Sequence, residues 1–95
     1  MLTVLFGCQR DRSAAQLQIT IPEADQDAEV YVDGNYVGLV RALHHELTGS
    51  ILLAPGQHRL EIRKPGRFPF QKTISIKRPA PAQVVIQAEL LTDPL

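Results

Sequence analysis

The sequence predicts an all-β fold, a small single-domain β-sandwich of six to seven short antiparallel strands. Three observations carry that expectation. Apolar and polar residues alternate at period two through most of the chain, as they must when a strand buries only one face. The alternating runs are short, and Gly, Pro, Asn or Asp separates each from the next. Hydrophobic residues make up 44% and charged residues 21% of the 95, the balance of a folded domain rather than a disordered tail. A chain of this length closes one core at most.

The elements follow in order. Leu17 to Ile21 alternates until Pro22 stops it. Ala28 to Val32 repeats the pattern, with Val30 and Val32 on one face. Asp33, Gly34 and Asn35 tolerate positive φ, so they read as a tight turn rather than as oxygen ligands, and Tyr36 to Val40 is the return strand. Ile51 to Leu53 leads to Pro55-Gly56, after which His58 to Arg63 points Leu60 and Ile62 inward. Pro65-Gly66 turns the chain again, and both Pro-Gly pairs suit type II turns. Phe70 to Lys77 alternates through Ile74 and Ile76, residues 79–82 form a stiff connector, and Val84 to Leu90 closes the series. Leu39 to Leu47 resists this reading. Val40, Ala42, Leu43 and Leu47 have helical spacing, but so short a helix is unstable alone, so a loop with one helical turn over an open end of the sandwich is expected.

Lysines and arginines number 10 and so do the acids, a net charge of zero that argues against a nucleic-acid partner. The charges are segregated along the chain. Glu23, Asp25, Asp27, Glu29 and Asp33 come early, while Arg59, Arg63, Lys64, Arg67, Lys72, Lys77 and Arg78 come late. Arg59 and Arg63 fall on the outward face of one strand with Glu61 between them. Thr73, Ser75 and Lys77 share the outward face of the next if the two strands pair around Pro65-Gly66. Arg59, Arg63, Lys64, Arg67 and Lys77 are therefore the candidate patch for an anionic glycan, lipopolysaccharide or partner protein. The competing reading is a solvated face whose charges discourage strand-to-strand aggregation.

His44, His45 and Glu46, with His58, are the one cluster of metal-ligand types. Adjacent histidines diverge on a strand or a helix, so at most one of the pair joins Glu46 and His58. No nucleophile or orienting carboxylate accompanies them. Asp25, Asp27, Asp33 and Asn35 lack the spacing and closing glutamate of a twelve-residue calcium loop. The expectation is no metal, no other cofactor and no catalysis. The alternative is a metal-dependent or hydrolytic protein using the loop of His44, His45 and Glu46.

Cys8 is the single cysteine, so no intrachain disulfide forms, and no apolar run approaches the roughly 18 residues of a membrane span. Leu2, Val4, Leu5 and Phe6 are nevertheless unfavourable in water unless something covers them. Leu5 to Cys8 resembles the lipobox of bacterial lipoproteins: an aliphatic residue three before the cysteine and a small residue directly before it. The resemblance implies that residues 1–8 are a truncated signal segment, that Cys8 carries the lipid anchor, and that residues 9–16 are a tether. It places the protein in the bacterial cell envelope. Gln9, where inner-membrane lipoproteins carry aspartate, points to the outer membrane, facing the periplasm or the surface. Six residues separate Met1 from Cys8 and none is basic, unlike a full signal. The alternative is a tucked-in apolar N-terminus with an ordinary cysteine.

The domain at residues 17–91 carries a second resemblance. Pro22 to Ala24, Val30 to Gly34, Gly38, Ala54 to His58 and Arg63 to Gly66 resemble, in order, the signature blocks of the PEGA domain. That family is a small β-sandwich module of bacterial envelope and surface-associated proteins. The resemblance implies a non-catalytic binding or structural module that engages an envelope protein or a cell-wall glycan. Three features depart from the signature: Asp25 follows Ala24, Arg67 displaces the aromatic to Phe68, and the segment between Gly38 and Ile51 is longer. The oligomeric state and the ligand stay open.

Overall fold

A computed structural model of the chain describes residues 13–44 and 51–92. Over the described residues it is all-β, as predicted, with seven strands in two sheets. The strands are β1 (Ala15–Thr20), β2 (Glu29–Val32), β3 (Asn35–Leu39), β4 (Ile51–Leu53), β5 (Gly56–Arg63), β6 (Phe70–Ile76) and β7 (Gln83–Gln87). One sheet has the order β4-β1-β7 and the other β3-β2-β5-β6. Their inward residues form one core. Leu17 and Ile19 of β1 and Ile86 of β7 pack with Val30, Leu60, Ile62, Ile74 and Ile76 of the facing sheet. Leu60, Ile62 and Val30 are essentially inaccessible, which is where the period-two alternation put them. Among the described residues no helix is long and apolar enough to cross a membrane.

One pair departs from the all-antiparallel expectation: β1 and β7 run parallel, with Leu17 beside Val84 and Ile19 beside Ile86. A parallel pair cannot be closed by a hairpin. Here the connection between the two strands contains the whole of the other sheet. β1 also begins at Ala15, within the segment expected to be tether, because Ala15 is fully buried and pairs with Leu53.

The β2–β3 turn is tighter than the sequence reading. Val32 pairs with Asn35, leaving Asp33 and Gly34 as the two turn residues, with φ of 53° and 86°. Positive φ at both central positions is the type I′ geometry whose twist suits a two-residue hairpin. Pro65-Gly66 forms the expected type II turn: Gly66 has φ 81°, and the Arg67 N–H donates to the Lys64 carbonyl at 3.1 Å. Pro55-Gly56 does not repeat it. Gly56 has φ 124° and already belongs to β5, paired with Ile76. The helical turn expected after Leu39 is a short 3-10 helix, Val40–His44, which seats buried Val40 and Leu43 against the core. The Val40 and Arg41 N–H groups donate to the carbonyls of Ala28 and Gln26, which fixes its start.

Candidate functional site

The acids of the early segment and the cations of the late one meet in space. Asp25 lies in a 3-10 turn (Glu23–Asp25) and is 3% exposed, the one buried charged residue among those described. Lys64 Nζ reaches its carboxylate at 3.3 Å and Arg67 Nη1 at 3.1 Å. Lys64 also donates to the Ala24 carbonyl and pairs with Asp27 at 3.0 Å. That bond holds the Asp27 carboxyl below, and the Lys64 ammonium above, its ordinary range. Arg67 further donates to the Leu90 carbonyl at 3.0 Å. The type II turn thus aims two cations at two carboxylates and clamps the C-terminal segment beside them. A buried carboxylate needs such partners, since an unpaired one would cost several kcal/mol, on the order of 3–5 when a pair is broken.

The outer face of the larger sheet carries a second network. Tyr31, Glu61 and Gln71 lie side by side across β2, β5 and β6. Arg63 makes two hydrogen bonds to Glu61, at 2.9 and 3.2 Å, and its guanidinium sits 4.7 Å from the Tyr31 ring centre. Arg59 donates to Gln71 at 2.7 Å, and Gln71 donates to Glu61. These pairs are solvent-exposed, so they organise the face more than they stabilise it.

Arg63, Lys64 and Arg67 line a cleft of about 300 Å³ with Glu29 on its wall. The structure therefore brings three of the five candidate patch residues together. Arg59 stands further along β5, and Lys77 follows Ile76 at the far end, next to Gly56. Roughly 25 Å of strand separates it from Arg63 at about 3.4 Å per residue. A larger cleft of about 570 Å³ opens between the sheet ends, lined by Ile21, Phe70 and Ala88 with one carboxylate, Glu89.

Sequence reasoning missed one constellation. Asp33 and His58 are 25 positions apart, and their side chains meet at 2.8 Å between Oδ2 and Nδ1. The other ring nitrogen faces the Ala54 carbonyl at 2.7 Å. The second carboxylate oxygen of Asp33 accepts the Arg59 N–H at 2.8 Å, and the Asp33 N–H donates to the Arg59 carbonyl. Asp33 has left the strand, so its side chain substitutes for the carbonyl that the ladder would otherwise offer. The Arg59 N–H and then His58 hold the Asp33 carboxyl below its ordinary range, while Asp33 and then Ala54 raise the imidazole. Both histidine nitrogens are thus engaged within the scaffold. The signal that could have found the contact was the resemblance itself, since Asp33 and His58 each fall within one of its blocks.

Among the described residues no three His, Cys, Asp or Glu side chains gather as metal ligands. His45 and Glu46 lie outside the described residues, as does Cys8, and the described backbone ends this segment at His44. No buried side-chain nitrogen or oxygen among the described residues lacks a hydrogen-bond partner. No family model matches the chain, and no curated protein is detectably similar to it.

Proposed function

We propose that the chain is a PEGA-like binding or structural module, anchored in a bacterial envelope through a lipid on Cys8, that engages an envelope protein or cell-wall glycan without catalysis. One observation supports this reading above the others. The polar residues at which it resembles the family serve the backbone: Asp33 and His58 join the β2–β3 turn to the start of β5 and to Ala54. Polar groups arranged this way shape a rigid display surface and leave recognition to what the sheets present. Lys64 and Arg67 are committed to Asp25 and Asp27, so in the cleft they line Arg63, at 53% side-chain exposure, is the cation best placed to meet an anionic partner group, in exchange for its exposed bond to Glu61.

The anchor is tested on protein recovered from its native host. Detergent partitioning should carry it into the detergent phase, and the mass of the Cys8 peptide should include a diacylglyceryl group. An aqueous protein with a free thiol at Cys8 would end the envelope-anchor reading.

A further inference from the structure

Four strands form the edges of the two sheets: β4 and β7 in one, β3 and β6 in the other. Exposed edges pair with other chains unless something blunts them. Three carry a blunting feature. β4 is three residues long, β3 carries an extra residue, Val37, at the irregularity opposite Val30 and Tyr31, and β6 bears Lys72 and runs into Lys77. β7 carries none: Gln83–Gln87 has no charge, no proline and no bulge, and Val85 is 53% exposed. Among the described residues β1 is its sole partner strand.

The sequence around this edge is nearly a palindrome. Residues 82–88 read Ala-Gln-Val-Val-Ile-Gln-Ala, and the one mismatch, Val84 against Ile86, exchanges two β-branched residues. We infer that β7 pairs antiparallel with β7 of a second copy across a two-fold axis at Val85, joining two three-stranded sheets into one of six. In that register Ala82 faces Ala88, Gln83 faces Gln87, and each inward Val84 lies beside the partner's Ile86. Like meets like at every position, which is what an isologous interface requires.

The backbone is phased for this. The Ala82 carbonyl accepts from Gln16 and the Ala88 N–H donates to Thr20, so the even-numbered residues of β7 point toward β1. By alternation, the N–H and C=O groups of Gln83, Val85 and Gln87 point out of the free edge. Val85 therefore forms a two-bond pair with its own copy, flanked by two more such pairs. The outward face of the joined sheet is uncharged, carrying Gln16, Gln18, Leu52, Gln83, Val85 and Gln87. No like charges oppose each other there, and glutamine both donates and accepts. One strand pair buries well below the roughly 1,200 Å² of a standard interface, so the dimer forms at high local concentration.

Sedimentation equilibrium of the 95-residue chain from about 10 μM to 1 mM tests this, with amide exchange at the upper end. Wild type should associate reversibly, and the amides of Gln83, Val85 and Gln87 should gain protection as it does. Val85→Lys and Val85→Glu should each weaken association roughly tenfold or more, because residue 85 then faces its own charge. An equimolar mixture of the two should associate again. Leu52→Lys, on the same face but away from this edge, should leave it unchanged. A wild type that stays monomeric throughout, association that survives Val85→Lys, or a mixture that fails to recover would overturn the pairing.

Discussion

His58 presents both ring nitrogens to groups that can only accept, the Asp33 carboxylate and the Ala54 carbonyl. A neutral imidazole has one N–H and would leave one contact unmade, so this geometry selects the imidazolium. The sign of the pH dependence follows. The folded imidazole has its pKa raised above the ordinary 6.5, so its stabilisation is complete below that value and is lost as pH rises through the raised one. Asp33 is lowered from 3.8, so its share is present above that pH and is lost as pH falls through the lowered value. The pair therefore contributes most between about pH 4 and 6.5. The melting-temperature deficit of His58→Gln should be largest near pH 6 and shrink toward pH 9. A deficit that does not change with pH would show that the ring is not held as a cation.

At the scale of elements, the turns carry strict backbone demands. Gly34 has φ 86° and follows Asp33 at 53°, yet a Cβ added at Gly34 would meet nothing within 4 Å. Any cost of Gly34→Ala is then backbone strain rather than a clash, about 1–2 kcal/mol. In a domain of this size that corresponds to a fall of roughly 5–15 °C in melting temperature, readable by circular dichroism. A neutral substitution would contradict the type I′ assignment. The strands themselves were legible in the sequence, because alternation marks which residues turn inward: Leu60, Ile62, Ile74 and Ile76 are all buried as expected. Alternation says nothing of neighbours. The parallel β1–β7 pair was hidden for that reason, and the early start of β1 was hidden because Ala15 is too small to give a hydrophobic signal. The Pro55-Gly56 turn was misread because the Ala54 carbonyl bonds to a side chain, that of His58, which lies outside the rules of turn sequence.

Across the whole molecule, the segregation of charge along the chain becomes neutralisation in space. Asp25 and Asp27 meet Lys64 and Arg67, Glu61 meets Arg63, and Asp33 meets His58. The sequence places Glu61 beside Arg63 but does not reveal Asp25 as the partner of Lys64 and Arg67, because those contacts join segments about 40 residues apart. In the proposed function the protein acts by binding, with no metal of its own, and these titratable groups hold the fold. A zinc titration of the full chain followed by thermal melting tests it most directly. A bound metal at 100 times its dissociation constant would add about 2.7 kcal/mol, a rise of roughly 10 °C or more in a domain this small. The melting temperature should stay unchanged at excess zinc. A saturable rise with one-to-one stoichiometry would contradict it and direct attention to His44, His45 and Glu46.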